Sequence, residues 1–212
     1  MALTAAHLLP RVLSPGEIMG TLLPSWVAAL DFNPECRIHA GTTDSIAAFF
    51  ASGSRQPGQA VTSLGSTLVL KLLSERRVES VDHGIYSHRC GNMWLAGGAS
   101  NCGAALLENI FGRKRLVSLS QAINPEIPSS LNYYPLPATG ERFPICDPNL
   151  LPRLGPRPTD DVEYLHGLLE SLARIEAHGY GLLETLGATP VTEIRTSGGG
   201  ASNMVWQAIR QR

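Results

Sequence analysis

Three short stretches of the 212-residue sequence carry residue types suited to handling a phosphate group. In HAGTTDSIAAFF (39–50) Asp44 follows a small-residue turn and precedes an apolar helical run. An aspartate there can cap the helix by accepting orphan backbone N–H groups, or place its carboxylate at a site of chemistry. In TSGGGASNMVWQAI (196–209) three glycines join a predicted strand to a predicted helix. Glycine lets backbone approach a ligand closely, and a helix start offers unpaired N–H groups and partial positive charge. In TSLGSTLV (62–69) small and hydroxyl residues separate two apolar runs, a pattern that fits a plain hairpin or a turn whose amides face phosphates.

Each stretch also has a purely structural reading. The loop at 196–209 matches neither GxxxxGK[ST] nor GxGxxG, since Gly198 and Gly200 lack a third glycine at the required spacing. Taken alone, it is equally a glycine turn with Ser202 or Asn203 capping the next helix. No GxSxG motif is present, and His39, His83, His88, His166 and His178 show neither triad nor metal spacing. Catalysis is therefore not assigned to a serine, cysteine or histidine.

The elements that must position these stretches follow from periodicity and breakers. The sequence predicts a helix near 24–31, a strand near 36–40 and a helix from Ser45 that stops at Gly53. GQAVTSLGSTLVLKLLS predicts two strands interrupted at 63–66, and β structure continues through 76–100. Asn101 is expected to cap a helix over CGAALLENIFG, with a further helix over 116–123. Prolines recur from Pro125 to Pro158, which predicts ordered loops and short strands, with NYYPLPATGERFPI the most extended part. Thr159-Asp160 opens a long amphipathic helix ending near Gly187, and strand, glycine loop and helix complete the chain.

Composition limits the partners. At 43% hydrophobic and 17% charged residues the chain is an ordinary folded sequence. Its 17 basic against 18 acidic residues give a net charge of -1 with no long basic run, so neither nucleic acid nor an anionic membrane is an expected partner. Cys36, Cys90, Cys102 and Cys146 lack metal spacing and are read as reduced thiols. With no signal-peptide core and no long apolar window, a cytoplasmic location is expected, or a plastid if the source is a plant.

Taken in order, AGTTDSIAAFF, AVTSLGSTLVLKL, WLAGGASNCGAALL, YPLPATGERFPICDP and TSGGGASNMVWQAI resemble the C-terminal lobe of the FGGY carbohydrate kinases, nearest to the ribulose and xylulose kinase-like members of plants and cyanobacteria. The resemblance implies an α/β protein of the ribonuclease H-like, actin-like ATPase fold. It implies ATP-dependent phosphorylation of a pentulose such as D-ribulose or D-xylulose, with ATP and Mg²⁺ required. By resemblance, Asp44 matches the general base, while Gly41, Thr42 and Thr43 flank the same site. Gly65, Ser66 and Thr67 match a phosphate-contacting motif, and Gly199, Gly200, Asn203 and Trp206 match the nucleotide loop, the last two beside adenine. No residue is assigned as a metal ligand. Phosphoryl transfer rests on positioning and charge neutralisation, so an ordinary ionised aspartate suffices to take the hydroxyl proton late.

Nothing in the sequence matches the family's N-terminal lobe or its early D-x-G-T/S-like motif. The expectation is a partial C-terminal domain over 1–212, truncated at both ends, which alone binds ATP or ADP weakly and turns over little or no sugar. The absent lobe or a second copy would then be its protein partner. The alternative from another class is a catalytically silent, actin-like nucleotide-binding or interaction module.

Overall fold

The structure, a computed structural model, describes residues 8–212. The chain divides into two units, Met1–Ala48 and Phe49–Arg212.

In the first unit, β1 (Ile18–Thr21) pairs antiparallel with β2 (Arg37–His39), with α1 (Pro24–Leu30) between them. Pro24 at the start of α1 has its φ preset for helix and lacks only an N–H that would be unpaired there anyway. The helix ends at Asp31, which takes the left-handed conformation (φ 53°) that a short polar side chain tolerates. A fourth element, α2 (Asp44–Ala51), begins in this unit.

The second unit holds a five-stranded sheet made from β3 (Gln59–Leu64), β4 (Leu68–Ser74), β5 (Tyr86–Cys90), β6 (Met93–Ser100) and β7 (Glu193–Ser197). Their order across the sheet is β5-β6-β4-β3-β7. All neighbours are antiparallel except β3 and β7, which run parallel with Gln59 opposite Glu193 and Ser63 opposite Ser197. Since β3 and β7 point the same way, both finish at one edge of the sheet. β6 ends there too, with Ser100 opposite Leu68.

Four helices complete the unit: α3 (Ala104–Phe111), α4 (Arg113–Gln121), α5 (Asp161–Thr185) and α6 (Met204–Gln211). Asp160 caps α5 by accepting the Val162 N–H at 2.9 Å, as its position after Thr159 predicts. The inward stripe of α5, Leu165, Leu168, Leu172 and Leu183, is at most 1% exposed and joins Leu68, Leu70 and Leu72 of β4 in one core. Burying each such leucine contributes about 1.5–3 kcal/mol, which makes α5 the principal buttress of the sheet.

Several expectations need correction. Asn101 does not cap α3: its side-chain amide donates to the Gly140 carbonyl at 2.9 Å, and Gly103 occupies the cap position without a side-chain bond. α4 begins at Arg113, three residues before the predicted start. The proline-rich stretch forms isolated bridges, Tyr134 with Arg153 and Glu141 with Asp147, instead of short strands. Proline removes the N–H donors that a longer ladder needs. Among the described residues, no helix is long and apolar enough to cross a membrane, and the four cysteines are free thiols.

Candidate functional site

The parallel pairing of β3 and β7 explains why two distant small-residue turns meet. The turn Gly65–Thr67 leaves β3 at the edge where Gly198 leaves β7, and a 3-10 turn (Gly199–Ser202) leads into α6. Ligands commonly bind at the carboxyl ends of strands in such sheets. Here a cleft of about 840 Å³ opens at that edge. Gly65 and Ser66 line one side, Gly199, Gly200 and Asn203 another, and α3 and α4 contribute Ala105, Glu108, Leu116 and Val117. That volume suits a drug-sized or nucleotide-sized ligand.

Glycines serve two different purposes around the cleft. A Cβ at Gly198 (φ 84°) would lie 2.8 Å from the Leu64 carbonyl, and one at Gly103 would lie 2.3 Å from the Ser66 oxygen. Backbone packs against backbone there, and no side chain fits. At Gly199 nothing lies within 4 Å of an added Cβ, and at Gly65 the nearest atom is 3.6 Å away. Those two positions leave open room that a bound group can occupy.

The β3–β4 turn is held by its carbonyls and leaves amides free. Ala104 N–H donates to the Gly65 carbonyl at 2.9 Å, Ala105 N–H to that of Ser66 at 3.4 Å, and Leu68 N–H to that of Cys102 at 2.7 Å. The Ser66 and Thr67 amides donate to no acceptor among the described residues. Two adjacent free amides with neighbouring hydroxyls can receive an anion. Behind the turn, Cys102 is fully buried, and its thiol is pushed above its ordinary range by burial first and by neighbouring Glu141 second. It stays protonated and inert.

Asn203 and Trp206 are structural members of this site. Asn203 caps α6 by accepting the Trp206 N–H at 3.0 Å while its amide donates to Ser120 Oγ of α4 at 2.9 Å. Its polar atoms thus clamp α4 to α6 along the cleft. Trp206 is 2% exposed and lies under Gly200, where an added Cβ would come within 2.6 Å of the indole ring. The indole supports the loop from beneath. At the rim, Arg113 and Glu108 form an exposed ion pair of 3.1 Å.

The remaining predicted site residues belong to the first unit and are described there alone. Gly41, Thr42, Thr43 and Asp44 are all exposed. The Thr43 carbonyl accepts the Ile46 and Ala47 N–H groups, so Thr43 holds the cap position and Asp44 is the first helical residue. Asp44 accepts the N–H of adjacent Ser45 at 2.7 Å, which differs from the expected side-chain cap. A carboxylate in the first turn is favourably placed with respect to the helix dipole.

Sequence reasoning missed a second polar constellation. Glu176 on α5 takes a two-pronged bond from Arg210 of α6, at 2.5 and 2.6 Å, and also accepts from Thr62 of β3. Arg210 donates in addition to Thr196 of β7 at 2.8 Å. The network ties α6 to both strands that carry the cleft turns. Its signal in the sequence was Glu176 lying on the leucine face of the long helix.

No protein-family model matches the chain. Solved structures share its fold. A xyloylose kinase from Brucella ovis superposes with a TM-score of 0.80 at 24% identity, over 94% of this chain and 43% of that one. A xylulose kinase from Rhodospirillum rubrum gives 0.74 at 20% identity, over 93% and 42%. Plasmodium falciparum glycerol kinase with ADP gives 0.74 at 16% identity, over 97% and 42%. The mixed α/β fold is thus one found within sugar and glycerol kinases, and the chain spans less than half the length of these structures.

Proposed function

We propose that the chain is the nucleotide-binding part of an ATP-dependent carbohydrate kinase, a phosphotransferase with an alcohol acceptor. The observation that carries this reading is the convergence of Gly65–Thr67 and Gly198–Gly200 on one cleft of about 840 Å³. The likeness to xylulose kinases and to a glycerol kinase with ADP supports the same class. D-xylulose or D-ribulose is the proposed acceptor.

In this reading the free amides of Ser66 and Thr67 receive phosphate oxygens, and the open faces of Gly65 and Gly199 admit the phosphate chain. The apolar walls of Leu116 and Val117 face the base. Asp44 orients the sugar hydroxyl and accepts its proton as the new bond to phosphorus forms. Mg²⁺, when bound, neutralises charge on the phosphate oxygens. The free amides and the unfilled glycine positions fit a phosphate chain, and among the described residues no cluster of three His, Cys, Asp or Glu side chains forms a cage of its own for the ion.

Titration calorimetry with ADP and Mg²⁺ tests the reading. Wild type is expected to bind, and Gly199→Val, whose side chain enters open space, is expected to lose at least tenfold in affinity with its melting temperature preserved. Equal affinity for the two proteins would overturn the placement of the nucleotide.

A further inference from the structure

Glu141 has no part in the function proposed above, yet it is only 3% exposed and has no basic partner among the described residues. Its two carboxyl oxygens instead gather donors from residues 100–102 and from the adjacent Arg142 amide. Oε1 accepts the N–H groups of Asn101 at 2.6 Å and Arg142 at 2.8 Å. Oε2 accepts Ser100 Oγ at 2.6 Å and faces the Cys102 thiol at 3.6 Å.

The chain of bonds continues to the cleft. Ser100 Oγ accepts the Cys102 N–H at 2.9 Å, and the Cys102 carbonyl accepts the N–H of Leu68 at the end of the β3–β4 turn. Gly103 presses on Ser66, and Ala104 and Ala105 hold the carbonyls of Gly65 and Ser66. The turn's inward polar groups are thus bonded to residues 102–105, whose lead-in at 100–102 is fixed by Glu141. With its carbonyls engaged from behind, the turn presents the Ser66 and Thr67 amides outward.

We propose that Glu141 is a positioning residue for the anion-binding turn Gly65–Thr67, acting through Ser100 and the Cys102–Ala105 backbone to set the direction of the Ser66 and Thr67 amides. This inference rests on the nucleotide reading for its ligand and on geometry alone for the relay. A buried carboxyl with this many short bonds restricts its partners more tightly than a neutral acceptor would.

The test uses Glu141→Gln, which keeps shape and an oxygen for the Asn101 and Arg142 amides but places a donor opposite Ser100. Ser100→Ala cuts the next link and decides the matter if Glu141→Gln does not fold. Amide hydrogen exchange without nucleotide should accelerate at least tenfold at Leu68, Ala104 and Ala105, with Leu168 and Leu172 of α5 unchanged. ADP affinity should fall about tenfold when measured well below each protein's melting temperature. Exchange at Leu68 and Ala104 equal to wild type in a folded variant overturns the proposal, as does local acceleration with unaltered ADP affinity. If wild type itself fails to bind ADP, the nucleotide reading fails separately, and the exchange result still decides the relay.

Discussion

The backbone of Gly198 rests on the carbonyl of Leu64, with room for no side chain: an added Cβ would stand 2.8 Å from both the carbon and the oxygen of that group. The contact sets how close the two cleft turns come. Its φ of 84° adds a second constraint, because an L side chain is strained there. Gly198→Ala should cost about 1–3 kcal/mol, lower the melting temperature and weaken ADP binding at least tenfold. Calorimetric melting and ADP titration check this, with Gly199→Ala, which meets open space, as the control for melting alone.

The Glu176–Arg210 pair is buried, with both side chains 7% exposed. Removing one partner leaves an uncompensated interior charge, so Arg210→Met should destabilise by about 3–5 kcal/mol. The double substitution Glu176→Met with Arg210→Met should recover much of that loss. Denaturant unfolding of the four proteins in the cycle measures the coupling, and additive effects would show that the two charges do not depend on each other.

Lys71 on β4 is 3% exposed, its ammonium lies 4.2 Å from the Tyr86 ring centre, and no hydrogen-bond partner reaches it among the described residues. Burial pulls its pKa from 10.5 down to about 8. Above pH 10.5 the amine is neutral in both states. As pH falls to about 8 the unfolded chain binds the proton and the folded one does not, so stability drops through that window and stays low beneath it. The penalty is roughly 3 kcal/mol before relaxation. Lys71→Met should stabilise at neutral pH by about 1–3 kcal/mol, and the gain should shrink above pH 8 as wild type recovers. His88, whose own pKa is lowered by burial and by Lys71, should titrate higher in that variant.

Asp44 makes one side-chain bond among the described residues, to the Ser45 amide, and an asparagine oxygen can keep it. Asp44→Asn should leave thermal stability within about 1 kcal/mol of wild type. Phosphoryl transfer to a pentulose by an active preparation should fall by about 10²–10⁴-fold with ADP affinity held. Near-normal turnover would reduce Asp44 to its role at the helix start.

Much of this architecture was legible from short-range signals. Thr159-Asp160 before a leucine stripe gave α5, and the small residues between QAVTSL and LVLKLL gave the β3–β4 turn. Gly198–Gly200 after EIRTS and before a capped helix gave the second turn. What the sequence hid was the pairing of Ser63 with Ser197, because no local pattern encodes which distant strand lies alongside and in which direction. Asn101 misled for a related reason. Its type suits a helix cap, but Gly140 and Glu141 from a distant loop compete for its polar groups and win. Trp206, set beside the adenine by resemblance, does line the cleft, and only its depth under Gly200 is a property of packing that sequence does not show.

The parallel register of β3 and β7 also sets a timetable for biosynthesis. Gln59 and its partner Glu193 are separated by 134 residues, whereas the β3–β4 hairpin closes over a three-residue turn. A hairpin forms within microseconds, but translation needs on the order of ten seconds to cover that separation. Throughout that interval the outer edge of β3 carries unpaired backbone groups beside an apolar strand, a ready template for wrong partners. The cleft therefore cannot be completed until residues 193–200 have left the ribosome, and a nascent chain stalled before Glu193 should be a better client for strand-shielding chaperones than one that has passed it.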